Sequence, residues 1–275
     1  MKRITLRVKT APALRIDARS LLPAALASLS DSEVARLPLW HGTERIALAD
    51  LFDVRMQTTP DAEACIAFEG DLRRFDRVGC ALDGGAIVVE GDVGDLAGAQ
   101  MSAGTLAVRG SSGAFAACEM AGGRIEIGGN TGDFAGAALP GSMDGMRGGT
   151  LIVRGHAGER FGDRMRRGTA LVFGNAGAFA ASRMVAGTIG IAGSVGEHPA
   201  YGMRRGSLIL LNLRHVAATN RFVEIHAEVS VFWRLVARSL SKEGGAFAEI
   251  GGWSPRRLVG DVSVDGRGEV FVDAM

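Results

Sequence analysis

The sequence predicts a mainly β protein: a right-handed parallel β-helix of about seven 19-residue coils, flanked by a small α/β N-terminal segment and a helix/strand cap. Three observations carry this. Glycine supplies 40 of 275 residues and recurs periodically. The pattern Met-x-x-Gly-x-aliphatic-x-aliphatic-x-Gly matches seven times in succession. A period of 19 residues is too short for a strand–helix–strand crossover, but it suffices for one coil of short strands joined by Gly turns.

Taken in order, residues 1–63 form the N-terminal segment. The start, Lys2 to Lys9, alternates apolar and charged residues and predicts a strand; a helix is expected from about Leu21 to Leu37, then an irregular lead-in. Residues 64–215 are the β-helix. Residues 64–79, with Ile66, Phe68, Gly70 and Gly79, form a degenerate first coil. The Met column then runs Leu82, Met101, Met120, Met146, Met165, Met184 and Met203, and its Gly runs Gly85, Gly104, Gly123, Gly149, Gly168, Gly187 and Gly206. One step is 26 residues, which places a seven-residue insertion near Ala138 to Asp144.

Two aliphatic columns two residues apart, Ile87 to Leu208 and Val89 to Leu210, are the inward faces of short strands. Gly fits the corners because it tolerates positive φ, and Gly129-Asn130 and Gly174-Asn175 fit the same turn chemistry. At roughly 4.8 Å per coil, seven coils make a rod roughly 34 Å long. The Met column is a core stack of adaptable side chains. Residues 216–275 form the cap, in which Val229, Phe232, Trp233, Val236 and Leu240 fall at helical spacing, suited to closing the last coil.

Composition excludes several functions. A formal charge of +1 gives no electrostatic case for nucleic acid or a membrane surface. The start lacks the uninterrupted apolar stretch of a signal peptide, and Leu21 to Leu29 is about half a bilayer span, so a soluble cytoplasmic protein is expected. Cys65, Cys80 and Cys118 are odd in number and far apart, which argues against disulfides, iron–sulfur clusters or structural zinc. His41, His156, His198, His215 and His226 show no ligand spacing, so no metal site is expected. Only Lys2, Lys9 and Lys242 are lysines; a GC-rich genome and bidentate anion binding both account for the arginine skew.

Ile152, Leu171, Phe173, Ile209 and Leu211 point outward by the alternation, which predicts a partner interface, or else a face covered by the chain's own ends. Arg147, Arg164, Arg166, Arg167, Arg183, Arg204 and Arg205 recur beside the Met column and suggest an anion-binding stripe, the alternative being a solvated or salt-bridged face. Asp95, Asp133, Glu159 and Glu197 share a turn column that could hold Ca²⁺ or acid–base pairs, but Ala114 and Ala178 break it. No catalytic residues are assigned. Gly strings such as Gly122-Gly123 recur in every coil and precede no helix, so they are not phosphate cradles. An independent β-helix hydrolase or lyase would need acids and aromatics clustered along a groove, and with 6% aromatics and one Tyr such a groove is poorly supported.

The coils resemble the C subunit of formylmethanofuran dehydrogenase and that of its relative, the formyltransferase/hydrolase complex of methylotrophs. They are more distantly similar to the Gly-rich β-helix of the glutamate synthase large subunit. Leu37-Pro38-Leu39-Trp40-His41-Gly42, Ala49-Asp50-Leu51-Phe52-Asp53-Val54 and Val259-Gly260-Asp261 with Gly266-Arg267-Gly268-Glu269-Val270 carry the resemblance, together with the insertion containing Pro140-Gly141. The resemblance implies a non-catalytic scaffold in a hetero-oligomer handling formyl groups on a methanofuran-type carrier. It implies an amidohydrolase-type catalytic subunit, a formyltransferase subunit and a pterin-enzyme-like subunit as partners, with metals held by them and no cofactor bound by this chain. It also implies that the arginine stripe guides a polyglutamate carrier tail. The arginine-rich composition fits the formyltransferase/hydrolase complex better than the molybdenum or tungsten dehydrogenase.

Overall fold

A computed structural model describes residues 2–58, 63–212, 221–225 and 230–273. His215, His226, Val229 and the expected boundary at 215/216 lie outside them. The described residues are mainly β, with strands at 35% and helices at 13%, and they form a large, mostly parallel sheet with no closed barrel among them.

Among the described residues that sheet has 13 strands. Its backbone is a run of parallel strands, from Lys2–Val8 through Cys65–Glu69 and one strand per repeat to Ser207–Leu210, and then to Gly268–Val272. Phe52–Thr58 pairs antiparallel at one end, and Arg256–Gly260 and Phe222–Ile225 at the other. Strands of both flanking segments therefore join the sheet of the repeats, while Ile16–Asp17, Pro38–His41 and Glu44–Ala47 form a separate four-stranded sheet with Phe75–Asp76. The register is that of the sequence columns: Ile125 stands beside Leu106 and Leu151, and Ile189 beside Ala170 and Leu208. A second file of parallel bridges links Leu72, Val93, Ser112, Thr131, Ala157, Ala176 and Val195, so each repeat meets its neighbour twice.

The core lies between these two files. Both aliphatic columns and all seven Met-column residues are buried in it. The Met and Gly columns are coupled. Gly149 has φ +77°, and a Cβ there would lie 2.6 Å from the Cε of Met120 in the preceding repeat. The same clash recurs at Gly123 with Met101 and at Gly206 with Met184.

The second Gly column has a different cause from the one expected. Gly110 and Gly129 have no positive φ; a Cβ would meet Asp92 Oδ1 at 2.3 Å and Ser111 Oγ at 2.4 Å in the repeat before. Asn130 and Asn175 are likewise absent from the left-handed region. Instead they belong to a ladder in which each side chain accepts the next repeat's backbone N–H. Asp92 accepts from Ser111, Ser111 from Asn130, Asn130 from His156, His156 Nδ1 from Asn175, and Asn175 from Ser194, at 2.7–3.0 Å. These acceptors pair corner amides that have no partner in the strand ladder and tie each corner to the one before it.

Two expectations about helices are corrected. Leu21 to Leu37 is not one helix but two, Pro23–Ala27 and Asp31–Ala35. The break falls at Ser30, whose amide donates to the Glu33 carboxylate at 2.8 Å, a capping arrangement that restarts the helix. The C-terminal helix, Ser230–Ser241, does not close the last repeat. It lies on the outer face of the sheet, with Trp233, Ala237 and Leu240 buried against Ile152, Leu171, Ile209 and Phe271. The last repeat is covered by the strands Gly268–Val272 and Arg256–Gly260. Asp261, fully buried, joins that cover to repeat seven by accepting from the Gly202 amide at 3.0 Å and from Arg221 at 3.4 Å.

Candidate functional site

The five outward apolar residues are not a free surface. Ile152, Leu171 and Ile209 are buried, and Phe173 and Leu211 pack on the same cluster, beneath Trp233, Phe247, Ile250 and Trp253. Phe173 meets Phe247 edge-on with centroids 5.1 Å apart, and the Arg154 guanidinium sits 4.4 Å from the centroid of the Phe173 ring. The partner-interface expectation for these residues is thus overturned: the chain's own C-terminal segment covers the face. An ion-pair clamp holds it there. Arg124 donates to both Glu243 oxygens at 3.0 and 2.7 Å, and Arg154 donates to the Glu243 carbonyl at 3.0 Å.

The arginine stripe divides in two. Arg164 donates to the Ser142 carbonyl at 2.6 Å, and Arg166 pairs with Asp144, so both fasten the insertion. Arg183 grips Asp163, a buried carboxylate, at 2.6 and 3.0 Å. These three are occupied within the fold. Arg147, Arg167, Arg204 and Arg205 are exposed and make no ion pair among the described residues. Arg147 and Arg167 are direct neighbours in adjacent strands. The amide of Arg267 donates to the Arg204 carbonyl at 2.7 Å, which adds a fifth cation to this corner. Repeat six contributes Val185 and Ala186 at the same place, so the corner has two basic groups and no unbroken file. Arg267 was legible only once the final strand was known to stack on repeat seven.

Two members of the acid column, Asp95 and Asp133, serve the backbone. Asp76 Oδ1 accepts from the Asp95 amide, Asp95 from Ala114 and Asp133 from Glu159, at 2.8–2.9 Å. The Asp95 and Asp133 carboxylates are thereby committed to the backbone of the next repeat. Among the described residues, no group of three or more His, Cys, Asp or Glu is placed to hold a metal ion. Cys80 and Cys118 form no disulfide, and burial pushes the Cys118 thiol well up. No helix among the described residues is long and apolar enough to cross a membrane.

An outer ring file escaped the sequence reading. Leu96, Phe115, Phe134, Arg160, Phe179 and His198 occupy one position in successive repeats, all with positive φ of 56–62°. Phe115 and Phe134 stack 5.0 Å apart, Arg160 sits 4.7 Å over Phe179, and Phe179 meets His198 at 5.1 Å. Left-handed backbone at Phe is costly and persists where surroundings enforce it. Here the neighbouring repeat does so, since the amides of Leu96, Phe115, Phe134 and Phe179 each donate to a carbonyl of the next repeat. The signal was present as a sixth column in the same register.

Stacked, Gly-coupled repeats whose corner side chains accept backbone amides define the class as a parallel-stranded repeat protein. No family model matches the chain. A chain of the crystal structure of the formyltransferase/hydrolase complex (FhcABCD) from Methylorubrum extorquens, solved in complex with methylofuran, superimposes with a TM-score of 0.90 at 44% identity. The match covers 98% of this chain and 100% of that one. By sequence, the C subunit of the Methylorubrum extorquens formyltransferase/hydrolase complex is 44% identical over 90 residues, 33% of this chain and 32% of that protein. The C subunit of tungsten-containing formylmethanofuran dehydrogenase 2 from Methanothermobacter thermautotrophicus is 30% identical over 100 residues, 36% of this chain and 37% of that protein. The aligned sequence thus spans about a third of these curated relatives, while the structural match spans a whole chain. This chain belongs to the family formed by the C subunits of formyltransferase/hydrolase complexes, to which the formylmethanofuran dehydrogenase C subunits are related.

Proposed function

We propose that this chain is the non-catalytic C subunit of a cytoplasmic formyltransferase/hydrolase complex, in which it organises the subunits that oxidise formaldehyde to formate through formyl groups on a methanofuran-like carrier. The observation that carries the reading is the end-to-end match, at 44% identity, to a chain of a complex that itself holds methylofuran. In this reading the repeats wind as a right-handed parallel β-helix of about seven coils. The partners are an amidohydrolase-type catalytic subunit, a formyltransferase subunit and a pterin-enzyme-like subunit, and metals and carrier chemistry reside with them. The exposed cations Arg147, Arg167, Arg204 and Arg205, joined by Arg267, supply guanidinium forks for the carboxylates of a carrier tail.

The test is to tag the chain in its native cell, purify it gently and identify what accompanies it by mass spectrometry. The expected result is an amidohydrolase-type and a formyltransferase subunit in fixed ratio with carrier bound, and less carrier retained when Arg147, Arg167, Arg204 and Arg205 are replaced by Ala. Recovery with a molybdenum or tungsten pterin protein and iron–sulfur proteins would make it a dehydrogenase subunit. A chain recovered alone would overturn the scaffold reading.

A further inference from the structure

Seven of the eleven large apolar side chains that remain exposed among the described residues lie between Val223 and Val264, so the apolar surface is concentrated on the C-terminal cap. Its centre is the helix Ser230–Ser241. A surface helix ordinarily turns polar residues away from the core. This one buries Trp233, Ala237 and Leu240, yet directly opposite them, at helical spacing, stand Val231, Leu235, Arg238 and Lys242. Val231 and Leu235 are 67% and 64% exposed.

The apolar surface continues off the helix. Phe232, half exposed, stacks on Phe271 with centroids 5.9 Å apart. Phe271 is in register with Arg257, and Arg257 with Ile225, whose exposed side chain shares that row with Phe271. Val223, on the same side of the strand as Ile225, extends the patch. Phe222–Ile225 is also the outermost strand of the sheet among the described residues.

Charge selects the occupant. The helix carries Arg234 and Arg238, with Lys242 after it, and holds no acidic residue. Three nearby acids are committed, Glu224 to Arg256, Glu243 to Arg124 and Glu269 to Arg257, which leaves Glu249, at the start of the turn packed on the helix, as a single carboxylate against the cations of the stripe. Arg238 and Lys242 have no ion pair among the described residues. A second copy of this face would bring like charges together, whereas an apolar surface edged by carboxylates would meet both halves of the stripe.

We propose that the outer face of helix 230–241, with Val223 and Ile225 beside it, docks a different subunit of the complex through an apolar surface bordered by acidic side chains. This rests on the reading of the chain as a complex subunit. The face differs from the one inferred from sequence, which the cap itself conceals.

The test is co-expression of the full chain with its partner subunits, with a photo-crosslinking amino acid at position 235, alongside the variant Leu235→Glu/Arg238→Glu. Both positions are exposed, so folding should survive, and a circular-dichroism melt checks that. The expected results are a crosslink to an identified partner peptide rich in Asp or Glu, at least tenfold less partner recovered with the double variant, and retention with Arg238→Lys. A wild-type complex that forms while the folded variant assembles equally well would overturn this docking face and leave the scaffold reading standing. Crosslinks only between copies of this chain would overturn the choice of occupant. A wild-type chain that captures no subunit would overturn both readings.

Discussion

Gly168 is where two demands meet in one residue. Its φ is +94°, and a Cβ would lie 2.7 Å from the Gly149 carbonyl oxygen and 2.9 Å from Met146 Cε. Left-handed backbone alone is tolerated elsewhere in each repeat: Arg160, Arg164 and Ala181 all adopt it. The difference is room, since at Gly168 the missing side chain is what lets the next repeat seat on Met146. Replacing it with Ala adds about 1–2 kcal/mol for the backbone and a similar amount for the forced contact, roughly 2–4 kcal/mol together. Urea unfolding of Gly168→Ala should show that loss, and it should shrink when Met146→Ala removes the colliding methyl group. An Ala variant as stable as the parent would mean that the column is kept for another reason. Gly190 meets only the second demand and was invisible beforehand: its φ is ordinary, but a Cβ there would meet Leu171 at 2.7 Å and Phe247 at 2.8 Å.

For single elements, the decisive interaction is the clamp that lays the cap on the repeats. The Arg124 hydrogen bonds hold the Glu243 carboxyl below its usual range; burial pushes the other way, and the charges of Arg124 and Arg154 add to the lowering. A carboxyl with a lowered folded-state pKa contributes its full stability above the unfolded value and loses it as pH falls through the folded one. Glu243 is 18% exposed, so its ion pair is partly screened and worth about 1 kcal/mol. Glu243→Gln should therefore be less stable than the parent by about that amount near neutrality, with the gap closing in strong acid. Denaturation midpoints at the two pH values measure it, and a gap independent of pH would remove the charge from the explanation. The same element shows where legibility ended. The spacing of Trp233, Val236 and Leu240 announced a helix with an apolar face, because periodicity reports which residues share a side. It could not report which surface that side meets. Ile152, Leu171 and Ile209 held the matching half of the information, and pairing the two needed the chain's path between them. The arginine corner was half legible for a similar reason: recurrence in register is visible in sequence, but Ser142, Asp144 and Asp163 as partners of Arg164, Arg166 and Arg183 are tertiary facts.

Over the whole molecule, stacked repeats contact only their neighbours, so stability divides along the stack according to what each repeat has beside it. The inner columns are shared by all repeats and the sequence register displayed them, whereas the amide ladder beside them emerged only from the structure. The outer face is not shared. Repeats two and three present Ala107 and Glu126 there, partly open, whereas Ile152, Leu171, Gly190, Ile209 and Phe271 are sealed beneath the helix and the turns around Phe247 and Ile250. Each large side chain so covered contributes roughly 1.5–3 kcal/mol of burial. The clamp from Glu243 ends at Arg124 and Arg154, at the edge of the covered region. Strands Arg147–Val153 to Ser207–Leu210 should therefore open together with the cap as one unit, and strands Ala103–Val108 and Arg124–Ile127 should open more readily. Native-state hydrogen exchange read by mass spectrometry tests this, with slower exchange expected in the covered strands. Gly190→Val, which lifts Phe247 off the sheet, should abolish that advantage while leaving Ala103–Val108 unchanged. Equal protection in both regions of the parent protein would mean that the ladder and inner columns alone set the cooperative unit, and that the cap is fastened to the stack without stabilising it.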